Sequence, residues 1–299
     1  DIKLKKLTTR HLQKLYKELL ESGRIHIGKN QNKGLSTTTV HSVHLMLHCA
    51  LDRAVKERLI PYNPCENCRI PPKDKKEMTI LPPEKIGRYL QEAEKYGVLP
   101  MFYLELSSGL RRGELLALQW EDLNVKERIL TVNKQVTRME GELDVTEPKT
   151  KNSVRRVALS QQAVDLLVRE HEQHPDSPIL FPSPRTGGYW SPDAVSRINR
   201  KLLKSAGIEE HVRFHDLRHT FATMAISSGV DVKTLSSMLG HFSVGFTLDT
   251  YTHITNDMQR GAAEKIGGFM ESVTAANTPE PPDPPEQNQC KVIPFEKVG

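Results

Sequence analysis

The chain has 299 residues, of which 37% are hydrophobic and 26% charged, and a formal net charge of +5. That hydrophobic share supports a folded core and excludes wholesale disorder, and the length makes one large domain or two ordinary ones. No apolar run reaches the length of a membrane span and no basic-then-apolar leader opens the chain, so a soluble, intracellular protein is expected. Four cysteines, Cys49, Cys65, Cys68 and Cys290, are too few for a disulfide framework in a chain this long.

The excess charge sits at the front. Residues 1–78 hold 16 Lys and Arg against 8 Asp and Glu, a net of +8, which leaves −3 for the remainder. A basic, helix-forming segment points to a polyanion, because each phosphate it neutralises releases condensed counterions; a solvated lysine face is the plainer alternative. Thr8 or Thr9 caps a first helix with Leu12, Leu15, Tyr16, Leu19 and Leu20 at helical spacing, and Ser36 caps a second with Val40, Val43, Leu47, Leu51 and Val55. The glycine-punctuated basic stretch between them, 23–34, suits a phosphate backbone. Residues 69–83, RIPPKDKKEMTILPP, combine prolines with alternating charge and read as an extended linker.

Beyond the linker the period is helical, starting at Pro82 or Pro83, with one interruption. The stretches ILTVNKQVTR (129–138), GELDVTE (141–147) and SVRRVAL (153–159) alternate or carry β-branched residues. They read as three antiparallel strands, with Glu140 and Gly141 at one turn and EPKTKN at the next. Helices resume after a Ser160 cap, after Ser191 with Pro192 at the first helical position, and from Arg213. A last helix is expected over 256–270, before a proline-rich acidic tail. The class is mainly α with a small three-stranded antiparallel sheet. The domains are 1–72, a basic helical unit; 73–83, a linker; 84–270, the chemistry-bearing unit; and 271–299, the tail.

Five motifs follow in order. In SSGLRRGELLALQW, Gly109 ends one helix and Arg111 and Arg112 open the next, with Glu114 three residues after Arg111. An arginine beside a helix N-terminus is suited to an anion. EPKTKN lifts Lys149, or Lys151, off the end of a hairpin. RFHDLRHTF offers His215 and Arg218 three apart. LGHFS sets His241 directly after the helix-terminating Gly240. TLDTYTH sets Tyr251 ten residues later, on a short helix. His215 and His219, four apart with Asp216 between them, also imitate the zinc pattern of metalloproteases, but a third ligand is missing and aspartate is shorter than the glutamate of that pattern. Cys65 and Cys68 have zinc spacing without a second pair nearby.

Arg111 in GLRRGE, Lys149 in PKT, His215 and Arg218 in HDLRH, His241 in LGH and Tyr251 in TLDTY together resemble the catalytic signature of the tyrosine recombinases, with the closest flavour in the integrases of conjugative transposons and Gram-positive phages. The likeness spans about residues 80–269, and the front unit is similar to that family's core-binding domain. The resemblance implies a two-domain C-shaped DNA clamp that cuts and rejoins double-stranded attachment-site DNA through a 3′-phosphotyrosyl intermediate, integrating and excising a mobile element. It implies Tyr251 as nucleophile, Arg111 and Arg218 on the non-bridging oxygens, Lys149 as proton donor to the leaving oxygen, His215 as proton acceptor and His241 as hydrogen-bond donor to the phosphate. Glu114 would hold Arg111. Neither a metal nor another cofactor is required. The implied partners are further copies of the chain in a tetrameric synapse, with C-terminal contacts in trans, and an excisionase. Relatives often carry one more N-terminal domain, and the opening residue here is Asp1 rather than methionine.

Three other readings compete. A type IB topoisomerase shares a related tyrosine chemistry but works as a monomer, so assembly discriminates. A zinc hydrolase would need the missing ligand. A DNA-binding module without catalysis leaves the filled chemical roles unexplained.

Overall fold

The computed structural model describes residues 2–25, 32–72, 78–139, 141–146, 154–241, 243–245, 247–248 and 263–274. The chain divides into two compact units, Asp1–Glu77 and Met78–Gly299.

The first unit is built on α1 (Thr9–Ser22) and α2 (Thr37–Lys56). Each begins where its cap was expected. The Thr8 amide donates to Nδ1 of His11 at 3.2 Å, and the Ser36 hydroxyl accepts from the Thr39 amide at 3.2 Å. Leu12 and Tyr16 of α1 and Val40, Leu51 and Ala54 of α2 bury one core with Ile60 and Cys65. The segment after α2 folds back on α1: the Thr9 hydroxyl donates to the Pro64 carbonyl at 2.8 Å, and Gln13 exchanges hydrogen bonds with the backbone of Arg69 at 2.9 and 3.0 Å. The first residues of the stretch read as linker are therefore fastened to this unit. Its last residues belong to the second, where Leu81 is fully buried and its amide donates to the Thr220 hydroxyl at 2.9 Å.

In the second unit α4 (Leu99–Ser108) is the central element, with Met101, Phe102, Leu104 and Leu106 all buried. It packs against α3 (Pro83–Lys95), α6 (Gln161–Gln173) and α8 (Phe214–Ser227). The six-residue α5 (Arg112–Ala117) follows it, and α7 (Pro192–Ser205) and α9 (Val232–Leu239) complete the helices that carry the site. Proline at the first position starts α3 and α7, where its missing N–H costs nothing. Gly109 and Gly240, at φ +59° and +63°, stop α4 and α9 in left-handed conformation. The Ser160 and Asp231 side chains cap α6 and α9.

A three-stranded antiparallel sheet is present, with β1 (Leu123–Asn124), β2 (Ile129–Val132) and β5 (Arg155–Ala158) in the order β1-β2-β5. Its membership differs from the one read in the sequence. The expected strand over 129–138 is two strands, because the chain leaves the sheet at Asn133 and Lys134. The Lys134 ammonium is drawn to Gln119 at 2.6 Å and Asp122 at 3.1 Å, and β3 (Gln135–Met139) turns away to form a separate hairpin with β4 (Glu142–Thr146). Gly141, at φ +97°, lies at its turn. In the sheet itself Val132 pairs with Arg155 and Leu130 with Val157, so Arg155 lies on the buried face with Val157 while Arg156 points outward.

The C-terminal helix expected over 256–270 falls partly outside the described residues, within which 263–274 are helical. Among the described residues no helix is long and apolar enough to cross a membrane.

Candidate active site

Three arginines from three elements meet at the end of α9. The carbonyls of Met238, Leu239 and Gly240 accept in succession from Arg155 Nε at 2.8 Å, Arg218 Nη2 at 2.8 Å and Arg111 Nη2 at 2.8 Å. The last turn of a helix leaves its carbonyls without intrahelical partners, and the aligned peptide dipoles make that end negative, so it seats cations. The end of α4 does the same, its Gly109 carbonyl accepting from Arg218 Nη1 at 2.7 Å. Both helix ends depend on a left-handed glycine, and both glycines also permit close approach. A Cβ on Gly109 would stand 2.3 Å from Phe221 Cδ1, and one on Gly240 would stand 3.0 Å from Arg155 Cδ.

Glu114 completes the arrangement. Its Oε1 accepts from Arg111 Nη1 at 2.7 Å and Arg155 Nη1 at 3.0 Å, and its Oε2 accepts from the Arg111 amide at 2.9 Å and Arg155 Nη2 at 2.7 Å. Burial alone would raise its pKa; the Arg155 and Arg111 hydrogen bonds outweigh that and hold it below the ordinary range. One ionised carboxylate thus serves two guanidiniums, while Arg218 is held by carbonyls. Three arginine charges against one carboxylate leave a local net of +2, and the site is complementary to an anion. Arg218 is 4% exposed, and burial, then Arg111, depresses its pKa to about 10, so it stays charged at neutral pH.

Burial and the neighbouring arginines favour the neutral form of the histidines around this cluster. His215, the second residue of α8, has its pKa lowered by burial and then by Arg218. His241, directly after Gly240, is pushed down to about 4 by burial, Arg218 and Arg111. Its Nδ1 shares a hydrogen bond of 2.7 Å with the hydroxyl of the buried Thr247, which fixes the ring. A neutral imidazole keeps one lone-pair nitrogen that can take a proton and one N–H that can donate, whereas an imidazolium only donates. His219 meets His215 edge to face at 5.1 Å between ring centroids and is lowered to about 4 by burial and His215. Asp216, between them in sequence, is turned to Arg213, accepting from its amide at 2.7 Å and from its guanidinium at 2.7 and 2.9 Å. No group of three His, Cys, Asp or Glu suited to a metal ion occurs among the described residues. An open cleft of about 620 Å³ beside His215 is lined by Arg112, Ser196, Arg200, His211 and Arg213.

The structure therefore brings Arg111, Glu114, His215, Arg218 and His241 together. Lys149 and Tyr251 lie outside the described residues. Sequence reasoning missed three residues here: Arg155, Thr247 and the fully buried Glu105, a carboxyl on α4 whose pKa is driven well up by burial. Arg155 carried a signal, because a strand with Val157 inward puts Arg155 inward too.

Residues 81–258 match the model of the phage integrase family. Over 280 residues the chain is 31% identical to the ICEBs1 integrase of Bacillus subtilis strain 168, covering 89% of this chain and 72% of that protein. The chain belongs to the phage integrase family of tyrosine recombinases. The integrase is also 28% identical over 273 residues to a XerC-like tyrosine recombinase of Caldanaerobacter subterraneus subsp. tengcongensis, covering 82% and 70% of the two chains. Its fold matches that of the Tn1549 transposon integrase in complex with transposon right end DNA, with a TM-score of 0.76, 21% identity, and 89% and 88% of the two chains covered. The family assignment favours recombination over the topoisomerase-like and zinc-hydrolase readings.

Proposed function

We propose that this integrase cuts and rejoins double-stranded attachment-site DNA of a mobile element by two successive transesterifications. The observation that carries the reading is the seating of Arg111 and Arg218 on adjacent carbonyls, Gly240 and Leu239, at the turn that continues into His241. Phosphodiester cleavage by a protein hydroxyl develops negative charge on the non-bridging oxygens, and fixed guanidiniums stabilise it without reorganising at the moment of reaction. Tyr251 attacks the phosphorus and the bond to the 5′ oxygen breaks, leaving a 3′-phosphotyrosyl link. His215 takes the phenolic proton, Lys149 gives one to the leaving 5′ oxygen, and His241 donates a hydrogen bond to the phosphate. The reverse attack by a 5′ hydroxyl from another strand reseals the backbone, one phosphodiester replacing another, so no nucleotide or metal is needed. The test is incubation with a nicked attachment-site substrate whose released short fragment, the one bearing the free 5′ hydroxyl, diffuses away. A covalent protein–DNA complex is expected; its absence would overturn the reading.

Both units engage the duplex in this proposal, the basic first unit supplying further phosphate contacts that weaken as salt rises. Recombination also needs several copies on two duplexes. Helical residues 263–274 favour contact between copies, because Ile266, Phe269, Met270 and Val273 form an apolar stripe at helical spacing and are 63, 66, 55 and 41% exposed. Docked on a neighbour, that stripe would be covered in a tetrameric synapse. A chain ending at His253 then keeps half-site binding and loses synapsis; equal loss of both would contradict trans docking.

A further inference from the structure

We propose that Arg155 is a positioning residue of the integrase site, acting on DNA cleavage through Glu114 and the end of α9 rather than by touching the phosphate. The inference rests on the cleavage reading above. Arg111 is oriented from two sides, by Glu114 Oε1 at 2.7 Å and by the Gly240 carbonyl at 2.8 Å. Arg155 holds both sides at once. Its Nη1 and Nη2 take the two oxygens of the same carboxylate at 3.0 and 2.7 Å, and its Nε takes the Met238 carbonyl, two residues before Gly240, at 2.8 Å. The contacts close a ring: Arg111 to Glu114, Glu114 to Arg155, Arg155 to Met238, and along the chain to Gly240 and back to Arg111.

Three features separate this from an ordinary buried ion pair. All three guanidinium nitrogens of Arg155 are spent on Glu114 and the Met238 carbonyl, whereas Arg111 retains 41% exposure toward solvent. Arg155 is therefore the support and Arg111 the group presented to DNA. Next, the planar fork matters, because two parallel N–H groups on one carboxylate fix its plane, as an ammonium does not. Finally, Gly240 is shaped to Arg155, with a Cβ there standing 3.0 to 3.2 Å from Cδ, Nη1 and Cζ. The same turn places Leu239 on Arg218 and His241 next in sequence. Through one side chain, β5 sets the geometry of an arginine, a carboxylate and the turn bearing a histidine.

Arg155→Lys and Arg155→Gln are compared with wild type in three measurements: single-turnover covalent-complex formation at saturating nicked DNA, half-site binding, and thermal unfolding, so that rates refer to folded protein. Positioning predicts that cleavage at saturation falls at least about tenfold in the lysine variant, since angstrom-scale misplacement of a reacting group costs on the order of a hundredfold, while half-site affinity stays within about threefold. It also predicts that Arg155→Lys costs less in a Glu114→Gln background than in wild type, because one of its two routes, the shared carboxylate, is already lost. A lysine variant that cleaves as wild type, additive losses in the double variant, or both Arg155 variants unfolded at assay temperature would each overturn the inference, the last by making Arg155 a requirement of folding. A wild type that forms no covalent complex would instead overturn the cleavage reading on which it rests.

Discussion

The Gly109 carbonyl accepts from Arg218 Nη1 at 2.7 Å, so the residue that ends α4 in left-handed conformation also seats the most buried guanidinium of the site. Two single changes probe that seat. Arg218→Lys keeps the charge but cannot reach the Gly109 and Leu239 carbonyls together in a planar fork; cleavage is expected to fall by a factor on the order of 10² to 10³ with DNA binding within a few-fold. Gly109→Ala keeps the arginine but drives a Cβ to 2.3 Å from Phe221 at φ +59°. It is expected to destabilise the fold by roughly 2–4 kcal/mol and to impair cleavage. Single-turnover cleavage and chemical denaturation check both, and wild-type rates in Arg218→Lys would remove its assigned role.

Glu105 is fully buried on α4, and neither carboxyl oxygen has a hydrogen-bond partner among the described residues. Burial raises its pKa well above the ordinary carboxylate range, against the opposing pull of Arg218, and so favours the neutral form. Replacing an unsatisfied buried polar group by an apolar one of similar size removes a desolvation cost, so Glu105→Leu is expected to gain about 1–3 kcal/mol of stability by chemical denaturation. A loss of similar size would mean that Glu105 is ionised and serves Arg218 as a counter-ion.

The histidines set the acid response of the DNA-free protein. His219 and His241 have folded pKa values of about 4 against 6.5 for the unfolded chain. A group depressed on folding binds its proton preferentially in the unfolded state, so stability is fully present above pH 6.5 and is lost as the pH falls from there toward 4. The thermal midpoint is expected to decline across that window, and His219→Gln to decline less steeply. Parallel curves for the two proteins would place the acid sensitivity elsewhere.

Most of the scaffold was legible because local chemistry decided it. Ser36, Ser160, Pro83 and Pro192 start helices, and Gly109 and Gly240 stop them, through groups within four residues in sequence. The motif residues Arg111, Glu114, His215, Arg218 and His241 were legible from the resemblance and come together in space. Less accessible was anything decided by distant partners. The break in the strand at Lys134 depends on Gln119 and Asp122. The burial of Arg155 depends on Glu114 and on the end of α9, 41 and 83 residues away. Thr247 gains its part through His241, and Glu105, a lone carboxyl in an apolar helix, has a place that the packing of α4 defines.

The most direct test of the central claim is to digest the covalent complex formed on nicked attachment-site DNA and identify the linked peptide by mass spectrometry. The mechanism requires Tyr251 joined through its phenolic oxygen to a 3′ phosphate, with no such product from Tyr251→Phe. Linkage to another residue, or to a 5′ phosphate, would contradict it.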